Sequence, residues 1–361
     1  MAKLGNICRF QSGGTPSKGS PSYYQGNIPW ITTVSLSGGI IGKEDAVEFI
    51  TEQAIKESAA KIVPMNSIMV GTRVGVGKVA INSVPMSTSQ DIISLLDIDE
   101  NVWDKEYLCK FISANSTYLN SQARGATIKG IKIDTLASLE VPELPIKRQR
   151  EINIILNNVL VLIEQRKQQI SKLDELVKSR FIEMFDGKYK VQTLGSVCEE
   201  LFAGGDVKKD KSSNMRSKEY PYPIYTNGEK DNGLYGYTSI VRVQKEAVTI
   251  SGRGTIGFTC LRKEPFYPAV RLIVAIPNQE LVSGCYLKHF IQSKNYGGQG
   301  ASIPQLTVPM IKDELIPVPP IKLQNEFATF VEQTDKLKFE VKEALEKLET
   351  LKKSLMQQYF G

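Results

Sequence analysis

The stretch from Pro145 to Phe185 reads PIKRQREINIILNNVLVLIEQRKQQISKLDELVKSRFIEMF. Apolar side chains fall at Ile152, Leu156, Val159, Ile163, Ile170, Leu173 and Val177, mostly at alternating steps of four and three. That period belongs to a helix with one packed stripe, the seam of a coiled coil. A second such stretch follows Pro320, with Phe327, Val331, Leu337, Val341, Leu345, Leu348, Leu351 and Leu355 on its seam. Each predicts an amphipathic helix of about 30 to 35 residues, roughly 50 Å long. Pro142 and Pro145, then Pro317, Pro319 and Pro320, stand just before the two stretches, where a missing backbone N–H costs nothing and an extended approach is favoured. An isolated rod would leave its stripe in water. The two helices are therefore expected to pack on each other, antiparallel, with a pseudo-two-fold axis relating what they carry. Docking of each helix on its own domain is the alternative.

Outward from these helices the chain repeats itself. From Pro145 the spacing between copies is constant at 175 residues: Pro145 pairs with Pro320, Gln149 with Gln324, Leu173 with Leu348 and Phe185 with Phe360. Further forward, Arg124-Gly125-Ala126-Thr127-Ile128 returns as Gln299-Gly300-Ala301-Ser302-Ile303. Val70 to Gly77 (VGTRVGVG) returns as Ile250 to Gly257 (ISGRGTIG), 180 residues on, and Leu4-Gly5-Asn6-Ile7-Cys8 returns as Leu194-Gly195-Ser196-Val197-Cys198, 190 residues on. Length differences thus gather at the front of each copy, as surface loops allow and a packed seam does not. The predicted organisation is a first domain over residues 1–146, a central helix over 147–187, a second domain over 188–321 and a C-terminal helix over 322–361. The fold class is α+β: two similar mixed domains joined by two long helices that pack as an antiparallel coiled coil.

At 361 residues the chain exceeds one ordinary core, and 41% hydrophobic with 23% charged residues is a globular balance. The 45 Lys and Arg outnumber the 39 Asp and Glu, a net +6 that tolerates a polyanionic partner without demanding one. The longest apolar run, Ile152 to Ile163, is broken by Asn157 and Asn158 and falls short of the ~20 residues of a membrane span. With no basic-then-apolar start, the expected location is the cytoplasm. Five cysteines never fall as CxxC, which argues for buried thiols in a reducing compartment. The single histidine, His289, makes Ser-His and Cys-His catalysis improbable and leaves most catalytic metal sites short of a ligand. Carboxylate chemistry with magnesium stays formally open.

Gly252-Arg253-Gly254-Thr255-Ile256-Gly257 satisfies a dinucleotide fingerprint, but strand formers follow it where a helix is required. The first copy, Gly71 to Lys78, mimics a phosphate loop but lacks the required glycine spacing and has Val79 after Lys78. A hairpin presenting Arg73 or Arg253 from a glycine-rich turn suits both copies. Such an arginine can reach a phosphate or a guanine edge, or simply brace the turn. Phe202-Ala203-Gly204-Gly205 echoes a methyl-donor loop only weakly, and the tetrapeptide that holds a flipped base is missing.

The twofold plan, the opening LGNICRFQSGGTPSK, IPWI at Ile28 to Ile31, GTRVGVGKVAI, the GATIKGI and GASIPQL junctions and the PIKRQREI and PIKLQNEF helix starts together resemble the specificity subunit of type I restriction-modification systems. The resemblance covers nearly the whole chain, although the chain is short for such a subunit and its second domain is the smaller. It implies that the two domains are target recognition domains, each reading one half of a bipartite double-stranded DNA sequence. It implies that the helices set the half-site spacing and dock modification (methyltransferase) subunits, two of them, with a restriction (translocase and nuclease) subunit as a further partner. No cofactor is then expected on this chain: S-adenosylmethionine belongs to the modification subunits, ATP and Mg to the restriction subunit. The chain is expected to be non-catalytic and to have no membrane partner. Loop position and repeat equivalence select Lys18, Arg73, Lys78, Gln90, Arg124, Lys129, Arg253 and Gln299 for DNA contact. Gln149, Ile152, Gln324 and Phe327 are expected on the partner-binding helices. The rival reading is a helical scaffold that recruits proteins and binds no DNA.

Overall fold

The computed structural model describes residues 1–125, 129–294, 296 and 305–361. Two 40-residue helices dominate it, Ile146–Phe185 and Ile321–Phe360. Both begin directly after a proline and both end on a phenylalanine, so they are longer than the apolar seams alone suggested. At 1.5 Å per residue each reaches about 60 Å.

The chain divides into two compact units, one formed by Met1–Arg166 with Ala344–Gly361 and the other by Lys167–Glu343. Each unit therefore combines one domain, the start of the helix that follows it, and the end of the other long helix. The division falls inside the helices rather than at the ends of the domains.

In the first unit a five-stranded sheet runs in the order Arg9–Ser12, Ile92–Leu96, Ile68–Gly71, Val79–Asn82, Ile40–Ile41. A four-stranded sheet holds Glu48–Ile50, Ile28–Ile31, Met86–Thr88 and Ile62–Val63, with the middle pair parallel. The helix Lys105–Ala114 sends Tyr107, Leu108, Phe111 and Ile112 into the core beneath the larger sheet. The second unit repeats this with fewer strands. Cys198–Ala203, Leu272–Pro277, Ala247–Ser251 and Thr259–Arg262 form one antiparallel sheet, covered by the helix Gly284–Ser293. Ser212–Ser213, Leu234–Thr238, Tyr222–Tyr225 and Tyr267–Pro268 form another.

How each long helix leaves its domain depends on one amide. Gln149 is fully buried: it accepts from the Asp104 backbone N–H (2.9 Å) and donates to the carbonyls of Val102 (2.9 Å) and Leu144 (2.8 Å). Gln324 does the same in the second unit, with Ser283 N–H (2.8 Å), Leu281 O (2.9 Å) and Pro319 O (2.8 Å). Asp104 and Ser283 are themselves N-caps of the shorter helices, receiving Tyr107 N–H and Tyr286 N–H. The glutamine thus completes from another helix the reciprocal cap that a local Glu or Gln would provide. Ile152 and Phe327, one turn on, are also buried, in the cores of their own units. These four residues, expected to face a partner, are instead internal, because the amide and apolar surface they bring are consumed by their own domains.

The far ends of the helices close the same cores. Phe360 lies 5.2 Å from Tyr107 and 6.2 Å from Phe111, ring centre to ring centre. In the second unit Phe185 lies 4.7 Å from Tyr286 and 5.5 Å from Phe327, with Phe181 beside them. Within this unit Phe327 meets Phe181, Arg180 stacks over Phe330, and Lys338 pairs with Asp174. One number rises as the other falls, so the helices run antiparallel. The second seam passes through Thr334 and Lys338 in place of Leu337, and through Lys352 in place of Leu351. Leu337 (53%) and Leu351 (45%) are exposed instead, since an unbroken seven-residue step from Phe327 and Val331 reaches the polar residues.

Five free cysteines are present; Cys109 and Cys198 are buried and their thiols pushed up to about 12 by burial, while Cys8, Cys260 and Cys285 are half-buried. No helix among the described residues is long and apolar enough to cross a membrane. His289 lies on the helix Gly284–Ser293, 5.2 Å from Phe327 and 6.1 Å from Phe181. Its Nε2 is buried without a hydrogen-bond partner among the described residues, and burial, then Lys288, lowers its pKa to about 3.

Two outcomes follow for stability. Gln149→Met leaves one N–H and two carbonyls unpaired and costs the first unit about 2–4 kcal/mol, read as a lower urea midpoint. For His289 the folded pKa lies below the unfolded one, so the unfolded chain binds more protons between about pH 3 and 6.5 and stability falls as pH falls through that window. Between pH 7 and pH 5 the loss is about 2 kcal/mol, and urea unfolding of His289→Phe loses that part of the pH dependence.

Candidate nucleic-acid interface

Both units present the same hairpin. In the first, Ile68–Gly71 pairs antiparallel with Val79–Asn82; in the second, Ala247–Ser251 pairs with Thr259–Arg262. Matching hydrogen bonds close the turns: Gly71 N–H to Lys78 O and Ser251 N–H to Phe258 O, both 2.8 Å, then Gly77 N–H to Gly71 O and Gly257 N–H to Ser251 O, both 3.0 Å. Gly77 (φ 81°) and Gly257 (φ 80°) take left-handed backbone at equivalent places, which a side chain would strain. At Gly77 a Cβ would also sit 2.7 Å from Ser116. A segment from the rear of each domain then docks on the turn, through Ile131 N–H to Thr72 O and Leu306 N–H to Gly252 O, both 2.8 Å. The frame is thus built from backbone, and the arginine at its tip is free to differ in surroundings.

Arg73 and Arg124 come together in the first unit. They line a surface cavity of about 510 Å³ with Gln122, Gly130, Ile131, Lys132 and Thr135. Arg124 is placed by a two-way backbone bridge to Gly130 (2.9 and 3.0 Å). Arg73 is half exposed and 3.5 Å from the Asp91 carboxylate. Lys78 is exposed, its stem packed along Gly75; Gln90 is exposed beside Asp91; Lys129 is exposed just before Gly130. Lys18 is held elsewhere: it pairs with Glu48 (2.5 Å) and lies 4.2 Å above the Tyr24 ring, tied to the smaller sheet and away from the cavity's lining. In the second unit Arg253 is exposed and lines a cavity of about 350 Å³ with Asn227, Gly254, Val270 and Arg271. Asn227 fixes that corner by accepting from Gly252 N–H (2.8 Å) and donating to Val270 O (3.0 Å). Gln299 lies outside the described residues.

Selection by loop and repeat missed Gln122, Lys132, Asn227 and Arg271. The signal for Arg271 was present: the 180-residue step that pairs Arg73 with Arg253 also pairs Asp91 with Arg271. The glycine stretch at Phe202 to Gly205 offers no methyl-donor cradle, because a Cβ at Gly204 would sit 2.0 Å from Ala269 O. There the glycine serves strand packing.

The arrangement can position guanidinium groups against an extended polyanion, once in each unit. Comparison with known proteins agrees. The family model described as the type I restriction modification DNA specificity domain matches residues 1–174 and again residues 187–352. The specificity subunit of the MjaIX type I restriction enzyme of Methanocaldococcus jannaschii is 24% identical over 373 aligned positions, spanning 92% of this chain and 85% of that one. A solved structure from work on complex assembly and conformational transition of the type I system aligns with a TM-score of 0.68 at 14% identity, covering 99% of this chain and 96% of that one. The S subunit of the Mycoplasma genitalium system aligns with a TM-score of 0.54 at 17% identity, covering 99% and 95%. These two likenesses establish a shared fold; the paired match of the family model goes further, and the chain belongs to the type I restriction-modification DNA specificity family, with the domain present twice.

Proposed function

We propose that each unit reads one half of a bipartite duplex DNA target with the hairpin turn and cavity described above, while the long helices set the gap between the halves. The observation that carries this is the repeated frame: two tandem units offer an exposed arginine from the same hydrogen-bonded turn, each lining a surface cavity. The chain supplies recognition and its partners the chemistry. In support, His289 is half-buried with its Nε2 out of reach of water and is held neutral near neutral pH, and the buried thiols of Cys109 and Cys198 are poor nucleophiles. S-adenosylmethionine then resides on modification subunits, ATP and Mg on a restriction subunit. The docking surface for the modification subunits, two per chain, is assigned to apolar residues the long helices leave in water: Ile154 (60%) and Val161 (54%) in the first unit, Ile182 (66%) and Phe339 (62%) in the second.

The test is to co-express the chain with its modification subunit in a host lacking adenine methylation and to map methylated adenines. A split motif with a fixed gap is expected; methylation absent from a stable complex would favour the scaffold reading. On the same readout Arg73→Ala relaxes one half-sequence and leaves the other intact, whereas equal loss at both halves defeats the assignment of one unit per half-site. Inserting one heptad into both long helices adds about 10 Å, or about three base pairs of gap, with both half-sequences unchanged. An unaltered gap would refute the ruler.

A further inference from the structure

Asp91 and Arg271 hold the same place in the two copies. Each immediately precedes the strand, Ile92–Leu96 or Leu272–Pro277, that pairs with the first strand of the hairpin. In the first unit the Asp91 carbonyl accepts from Thr72 N–H (2.8 Å) and its carboxylate pairs with Arg73. In the second, the Arg271 carbonyl lies against Gly252, where a Cβ would sit 2.7 Å from it. The equivalent of the acid is now a second arginine beside Arg253.

Three features mark this pair. Arg253 and Arg271 are both exposed and line one cavity whose other lining residues, Asn227, Gly254 and Val270, carry no negative charge. Among the described residues neither guanidinium has a carboxylate within 4.0 Å, whereas Arg73 has one. Arg271 also takes left-handed backbone (φ 67°); among the described residues the other four non-glycine residues with positive φ are Asn66, Asp97, Asp231 and Asn232. Asn and Asp tolerate that region, and arginine gains nothing from it. Two unneutralised like charges on a strained corner cost the free protein stability, and an anion seated between them returns it.

We propose that Arg253 and Arg271 together seat one backbone phosphate of duplex DNA in the second unit, and that Asp91 denies the first unit an equivalent seat by holding Arg73. This rests on the DNA-reading function above and adds to it a division of labour. The second unit grips the duplex irrespective of sequence at this corner. In the first, Arg73 is oriented by its acid and left to a base edge.

The test uses the full chain assembled with its modification subunits and fluorescent duplexes of several unrelated sequences, titrated with salt. Arg271→Ala is expected to weaken every duplex by about tenfold at low salt and to make log K against log salt shallower by about 0.9. Arg271→Lys keeps the slope. Arg271→Gly weakens binding as the alanine variant does but raises the melting temperature, since glycine adopts the left-handed backbone freely; its binding loss therefore cannot come from misfolding. Unchanged affinity and slope in Arg271→Ala and Arg271→Gly, with weaker binding in Arg253→Ala, would overturn the phosphate seat and leave the DNA reading standing. An intact wild-type complex with no salt-sensitive binding to any duplex would overturn both.

Discussion

Two buried amides carry the architecture. A helix of 40 residues can be aimed only if its first turn is fixed, and Gln149 and Gln324 fix it by satisfying an N–H and two carbonyls that water cannot reach. A polar group in such a position is costly unless all its partners are present, so the junction between domain and helix has one good geometry rather than several. The aromatic clusters around Phe360 and Phe185 add apolar burial but little direction. The amides set the angle, and the aromatics hold it.

Much of this was legible in the chain. The constant 175-residue offset from Pro145 onward is the offset between the two helix starts, Ile146 and Ile321, and between their last residues, Phe185 and Phe360. Hydropathy found most of the seam, and failed where the seven-residue step lands on Thr334, Lys338 and Lys352: apolarity does not identify a residue whose stem is covered while its end reaches water or an acid. It also gave no hint that Gln149 and Gln324 are fully buried, because amides are buried by backbone groups whose positions emerge only with the fold. Glycine spacing gave the hairpins; which side chains share a cavity with Arg73 and Arg253 depends on segments distant in sequence, such as Gln122 and Lys132, or Asn227 and Arg271.

The hairpin turns separate what must stay from what can change. Their hydrogen bonds run through backbone atoms and recur in both copies, with glycines where left-handed φ is required. The side chains at the tip lie outside that frame, so Asp91 in one copy and Arg271 in the other are accommodated without disturbing it. Exchanging tip residues therefore alters the charge presented while leaving the core contacts alone.

Phe360 belongs to the core that also contains Tyr107 and Leu4, and this places the end of the second long helix in the core of the first unit. During synthesis the amino-terminal domain emerges early and waits for the final turn of the second helix before its core can close. The carboxy-terminal domain, by contrast, has Phe181 and Phe185 ready before its own sheets are made. The order of completion is therefore the reverse of the order of synthesis, and closing contacts of such long sequence separation are formed late. Loss of the last turn of the second long helix would leave a finished second domain attached to an unfinished first.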